Sequence, residues 1–96
     1  MLPLKPPLRF VWDQTKAESN FIKHGLKFES ALDVFLDPFS ADFDTSRKID
    51  GEARRKAVGL MSGRLVTVVY SLRGDALRII SARPANAKEK RRHADG

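Results

Sequence analysis

The chain has 96 residues, 42% hydrophobic and 31% charged, with no cysteine and a formal net charge of +6. That length holds one core, the composition excludes a disordered chain, and the missing cysteines exclude disulfides, thiolate zinc sites and a cysteine nucleophile. Charge is unevenly placed: residues 51–96 carry eleven basic and four acidic side chains, a surplus of seven. A field of that sign favours a polyanionic partner, because phosphate contacts release counterions.

The opening "MLPLKPPL" has no apolar run long enough for a signal peptide or membrane span, and residues 1–8 read as a flexible leader of a cytoplasmic protein whose single domain covers 9–96. In "LRFVW" Leu8, Phe10 and Trp12 alternate with Arg9 and Val11, the period of a half-buried strand. Asp13 then offers a helix N-cap and Gly25 a left-handed C-cap, which predicts a helix from Thr15 to His24. Lys16, Asn20 and His24, spaced by four, form its polar stripe. Phe28, Ala31, Leu32, Phe35 and Leu36 carry the spacing of a second, amphipathic helix, stopped by Asp37 and Pro38.

A short strand is expected within Phe39 to Phe43, and a turn at Asp50 and Gly51. Three strands follow, "ARRKAVGLM", "RLVTVVYSL" and "ALRIISA", separated by Ser62-Gly63 and Gly74-Asp75. Short turns predict an antiparallel meander, with the most apolar strand, within Leu65 to Leu72, at its centre. "NAKEKRRHA" then places Asn86 and Glu89 as a capping pair at the start of a short basic helix. That helix has no apolar stripe, so nothing in the chain is expected to pin it. The fold class is α+β, with two N-terminal helices on one face of an antiparallel sheet.

The two histidines are not at metal-ligand spacing, and phosphate-binding glycine loops are absent from the sequence. Asp37, Asp42 and Asp44 could hold Mg²⁺, but such acids are more often solvated loop residues; neither metal nor cofactor is expected. What remains suits metal-free RNA cleavage, which needs a base for the 2′-OH, cations for the charge at phosphorus and an acid for the leaving 5′ oxygen. His24 and Glu52 are candidate proton carriers, and Arg54, Arg73, Arg78 and Arg83 candidate cations, Arg being suited by its planar fork. Each has a plainer role beside it. His24 is also favoured at a helix C-terminus by the dipole, Glu52 can pair with Arg54, and Arg78 can be the solvent position of a strand.

The ordered set W-D-x-x-K, N-x-x-K-H-G, G-E-x-R, R-G and R-I-I-S-A-R, from Phe10 to about His93, closely resembles the BrnT family of ribonuclease toxins of bacterial type II toxin-antitoxin systems. The resemblance implies a RelE-like fold and RNA cleavage that arrests growth. It also implies neutralisation by a ribbon-helix-helix, BrnA-like antitoxin, in a complex expected to be a heterotetramer. Its motif positions include Lys16, Lys23, His24, Glu52, Arg54, Arg73, Arg78 and Arg83 without assigning their roles; by residue chemistry His24, Glu52, Arg54 and Arg83 are the candidates for catalysis and Lys16, Lys23, Arg73 and Arg78 for RNA binding. Members commonly carry a Tyr just after the basic run, where this chain offers Ala94. If that Tyr takes part in cleavage, the alternative is a weak or inactive basic module that only holds RNA or an acidic partner.

Overall fold

The computed structural model describes residues 9–45 and 53–95. Strand β1 (Arg9–Val11) leads into helix α1 (Gln14–His24), a 3-10 turn (Glu29–Ala31) and helix α2 (Leu32–Leu36). Strands β2 (Ala41–Asp44), β3 (Arg55–Met61), β4 (Arg64–Arg73) and β5 (Ala76–Pro84) follow, and helix α3 (Ala87–Asp95) comes last. The strands form one sheet in the order β1-β5-β4-β3-β2, so the apolar strand β4 is central, as its composition predicts. The leader and the Asp50-Gly51 turn lie outside the described residues.

The class is α+β, but the sheet is mixed. β1 runs parallel to β5, with Arg9, Phe10 and Val11 opposite Ala76, Leu77 and Arg78, whereas the other pairs are antiparallel. Short turns specify the direction of the meander; β1 meets β5 across most of the chain, and a local alternation carries no information on direction.

Helix α1 ends where its caps predict. The Asp13 carboxylate accepts the Lys16 amide at 3.0 Å, and Gly25, at φ 71°, donates its amide to the Phe21 carbonyl. The second helix is shorter than its apolar spacing predicts. Val34 is fully buried, and a Cβ on Gly59 of β3 would lie 2.9 Å from the Val34 carbonyl oxygen, so α2 presses on a strand with no side chain between. The chain reaches that contact through a 3-10 turn, and Leu36, at the end of the expected stripe, is left 78% exposed.

One sheet face makes the core: Ala57, Val66, Val68, Tyr70, Leu77 and Ile79 pack under Leu26, Phe28, Ala31 and Val34. Tyr70 donates its hydroxyl to Asp42, which also accepts Arg55 Nε at 2.6 Å. Burial and Asp42 raise the Tyr70 pKa. Asp42 is therefore committed to the fold.

Short edge strands leave parts of the sheet edges open, and two side chains close them. Asn20 donates to the Ala82 carbonyl at 2.9 Å and accepts the Ala82 amide at 3.1 Å, as a neighbouring strand would, and also donates to the Leu26 carbonyl. On the opposite edge the Asp37 carboxylate accepts the Leu60 amide at 2.9 Å. Asn20, a member of the polar stripe of α1, is thus buried at the β5 edge.

Candidate functional site

Arg78 and Arg83 are five residues apart, so an uninterrupted strand would point them to opposite faces. The β4–β5 register shifts between Val69 and Tyr70: Val69 faces Ser81 but Tyr70 faces Ile79, which leaves Ile80 over as a bulge. Arg78 then stands opposite Ser71 and Arg83 opposite Thr67, two β4 positions that share a face. Arg73 is two residues beyond Ser71. Lys56 faces Val69, on the same side, and Arg54 is two residues before Lys56. The register thereby assembles Arg54, Lys56, Arg73, Arg78 and Arg83 on the face turned away from α1 and α2.

Helix α3 lies on this basic face and is held there, which corrects the expectation that nothing pins it. The Asn86 side chain caps the Glu89 amide and Glu89 returns a bond to the Asn86 amide, both at 2.9 Å, as the capping pair predicts. The same carboxylate turns into the sheet. Arg83 donates both terminal nitrogens to it at 2.7 and 2.8 Å, Thr67 its hydroxyl at 2.9 Å, and Lys56 its ammonium at 3.2 Å. Two further contacts come from Arg92, whose guanidinium sits 4.3 Å over the Phe43 ring, and His93, whose Nε2 is 2.8 Å from Asp37. Glu89, Arg92 and His93 have the i, i+3, i+4 spacing of a stripe. It is a polar stripe, which a search for apolar periodicity passes over.

Glu89 is only 3% exposed. Burial alone would raise its pKa, but Arg83, the Asn86 amide, Thr67 and Lys56 together bring it down to about 2. It is a fixed anion at neutral pH and not a proton carrier, and it raises the pKa of Arg83 in turn. Asp37 is likewise held below its usual range: burial opposes this, and the Phe39 and Leu60 amides and His93 outweigh it. Beside Glu89 opens a groove of about 460 Å³ lined by Phe43, Lys56, Lys88, Arg91 and Arg92, an aromatic ring among four cations.

Lys16, Lys23 and His24 line a second depression of about 270 Å³ on α1, facing Ile80 and Ser81. It shares no lining residue with the groove at α3, but Ser81, which lines it, lies two residues before Arg83 on β5. His24 is the last residue of α1, half-buried beside the β5 edge. Glu52 lies outside the described residues. Arg54 is half-buried just before β3, Arg78 is half-buried within β5, and Arg73 is exposed at the end of β4. Of the metal alternative Asp37, Asp42 and Asp44, the first is engaged by His93 and the second by Arg55 and Tyr70. Among the described residues no three His or acidic groups are placed to hold a metal ion.

Lys56 and Thr67 were missed as members of the basic face because neither stands out in sequence. Cross-strand register is what joins them to Arg83. A family model described as the ribonuclease toxin, BrnT, of a type II toxin-antitoxin system matches residues 12–89. No curated protein matches the chain.

Proposed function

The chain belongs to the BrnT family of ribonuclease toxins of type II toxin-antitoxin systems, and on that premise we propose that it is a metal-independent endoribonuclease whose substrate lies across the basic sheet face. The observation that carries this reading is the bulge at Ile80, which puts Arg78 and Arg83 on the same surface that the β3–β4 register gives to Arg54, Lys56 and Arg73. Preorganised cations stabilise charge on a five-coordinate phosphorus as a metal would, without reorganising during reaction. Arg83 and Arg54 clamp the reacting phosphate, and Arg73, Arg78, Lys16 and Lys23 hold the flanking backbone. His24 or Glu52 moves the protons. An imidazole can both take up and release a proton, and so serves either half of the transfer.

The family carries with it a protein antitoxin. In this reading it is a BrnA-like ribbon-helix-helix protein that lays acidic side chains over the same arginines, two toxins to each antitoxin dimer. Helices α1 and α2 on one sheet face and the cations on the other, under α3, support the RelE-like arrangement, within one domain over 9–96. No helix among the described residues is long and apolar enough to cross a membrane, and the reading places the toxin in the cytoplasm, where its RNA is.

Cleavage of RNA by the purified chain in EDTA tests the proposal. The wild type is expected to cleave in EDTA, and Arg78→Gln, checked for fold by circular dichroism, to lose roughly tenfold in kcat/KM, the scale of one charge-assisted hydrogen bond to a flanking phosphate. Cleavage that needs added Mg²⁺, or an Arg78→Gln chain of unchanged rate, removes it.

A further inference from the structure

We infer that the Glu89 carboxylate fills an anion pocket that also fits a backbone phosphate, so that docking of α3 and binding of an RNA phosphodiester exclude one another. The inference deepens the reading above, since it takes RNA as the ligand of Arg83. Its basis is the set of donors. A planar Arg fork, a Lys ammonium, a buried Thr hydroxyl and the Asn86 amide converge on two oxygens at 2.7–3.2 Å. That set suits two non-bridging phosphate oxygens as well as a carboxylate. The end-on fork of Arg83 is taken while Glu89 holds both terminal nitrogens.

The pocket has an approach and a removable occupant. The groove beside Glu89 brings Phe43, Lys88, Arg91 and Arg92 up to Lys56, so a polyanion can gather on α3 and the sheet before it reaches Arg83. Among the described residues helix α3 contributes no side chain to the apolar core cluster; its side chains reach the sheet through Glu89 and Arg92, and Asp37 after α2 through His93. When such a helix lifts, Glu89, Arg83 and Lys56 are all returned to water or to a new counter-charge, and none is left buried alone. The exchange of one anion for another is therefore nearly balanced, and a strand of phosphates can tip it. In the free chain the site is closed by the chain's own acid; on RNA it opens.

The test uses the full chain and a non-cleavable, fully 2′-O-methylated oligonucleotide. His93 reports docking through its contact with Asp37, and its ring resonances are followed by NMR as the oligonucleotide is added. At saturation they are expected to move to the position of a solvent-exposed imidazole. Separately, Glu89→Gln is expected to bind the oligonucleotide about tenfold more tightly than the wild type, because the open state no longer has to be reached against a charged competitor. Glu18→Gln, the same change of charge at an exposed α1 position, is expected to change affinity less than about twofold, since exposed charges at a distance are screened. A His93 ring that stays docked in the saturated complex overturns the inference, as does a Glu89→Gln chain that binds no more tightly than Glu18→Gln. Should Glu89→Gln fail to fold, the wild-type titration decides alone. RNA cleavage with His93 still docked would leave the ribonuclease reading standing without this one, and release of His93 in a chain that cleaves nothing would do the reverse.

Discussion

The two faces of the sheet are closed by different physics. Under α1 and α2 the buried groups are Phe28, Ala31, Val34, Val66 and Leu77, all apolar and all at 0% exposure. On the face that carries α3 they include the polar Thr67, Ser71 and Glu89, with Val58 opposite Thr67 as a buried apolar neighbour. Burial of a large apolar side chain contributes about 1.5–3 kcal/mol and is indifferent to salt and nearly so to direction. A buried ion pair must first offset its own desolvation, so its net contribution is small even though its geometry is exacting. One face therefore supplies stability, and the other supplies an arrangement of charge that can be exchanged for a different one.

The largest break of this comparison is in the apolar face. Phe28→Ala should cost about 3–5 kcal/mol, as truncation of a buried aromatic does, read as a lower urea midpoint with the transition still shared by helix and sheet signals. A loss under about 1 kcal/mol would mean that this face is not the source of stability.

Acid sharpens the comparison next. Glu89 is held at about 2 against an ordinary value of 4.5, and Asp37 is lowered too. A carboxyl depressed in the folded state stabilises it above its unfolded pKa, and that stability is lost as pH falls through the folded value. The loss from Glu89 therefore runs from about pH 4.5 to about 2 and amounts to about 3 kcal/mol. Because it belongs to α3, hydrogen exchange should show α3 amides opening with acid while β4 stays protected. Simultaneous loss in both would make the two faces one cooperative unit.

What the sequence reveals divides along the same line. Helix α1 is legible because Asp13 and Gly25 mark its ends, the meander because its turns are short, and the core because its stripe is apolar. The parallel β1 is not legible, since pairing direction is decided far along the chain. Nor is the bulge at Ile80, which has no residue signature in "LRIISAR" yet sets whether Arg78 and Arg83 can act on one ligand. Arginines are conspicuous as types, so four of the five cations on the basic face stand out in sequence; their partners Lys56 and Thr67 are given only by register. Glu89 is legible as a cap and not as a sheet contact, because a cap is local and the pocket it fills is made by three strands.

The smallest effect probes α3 alone. Arg92 is exposed, with its guanidinium 4.3 Å over the Phe43 ring, and a contact of this kind at an exposed site contributes about 0.5–1 kcal/mol. Arg92→Ala removes it while leaving Glu89 and His93 in place. If α3 is a separately docked element, the variant should raise the opening constants of its amides about two- to fivefold, the factor that corresponds to that energy, and leave the urea midpoint of the sheet within error. Phe43→Leu should do the same from the other side of the contact, and the double variant should add little, because either change already removes the pair. A drop in global stability above about 1 kcal/mol from Arg92→Ala would show that α3 and the sheet unfold together. In that case Glu89 could not leave Arg83 without unfolding the toxin, and the exchange of carboxylate for phosphate would have no state in which to occur.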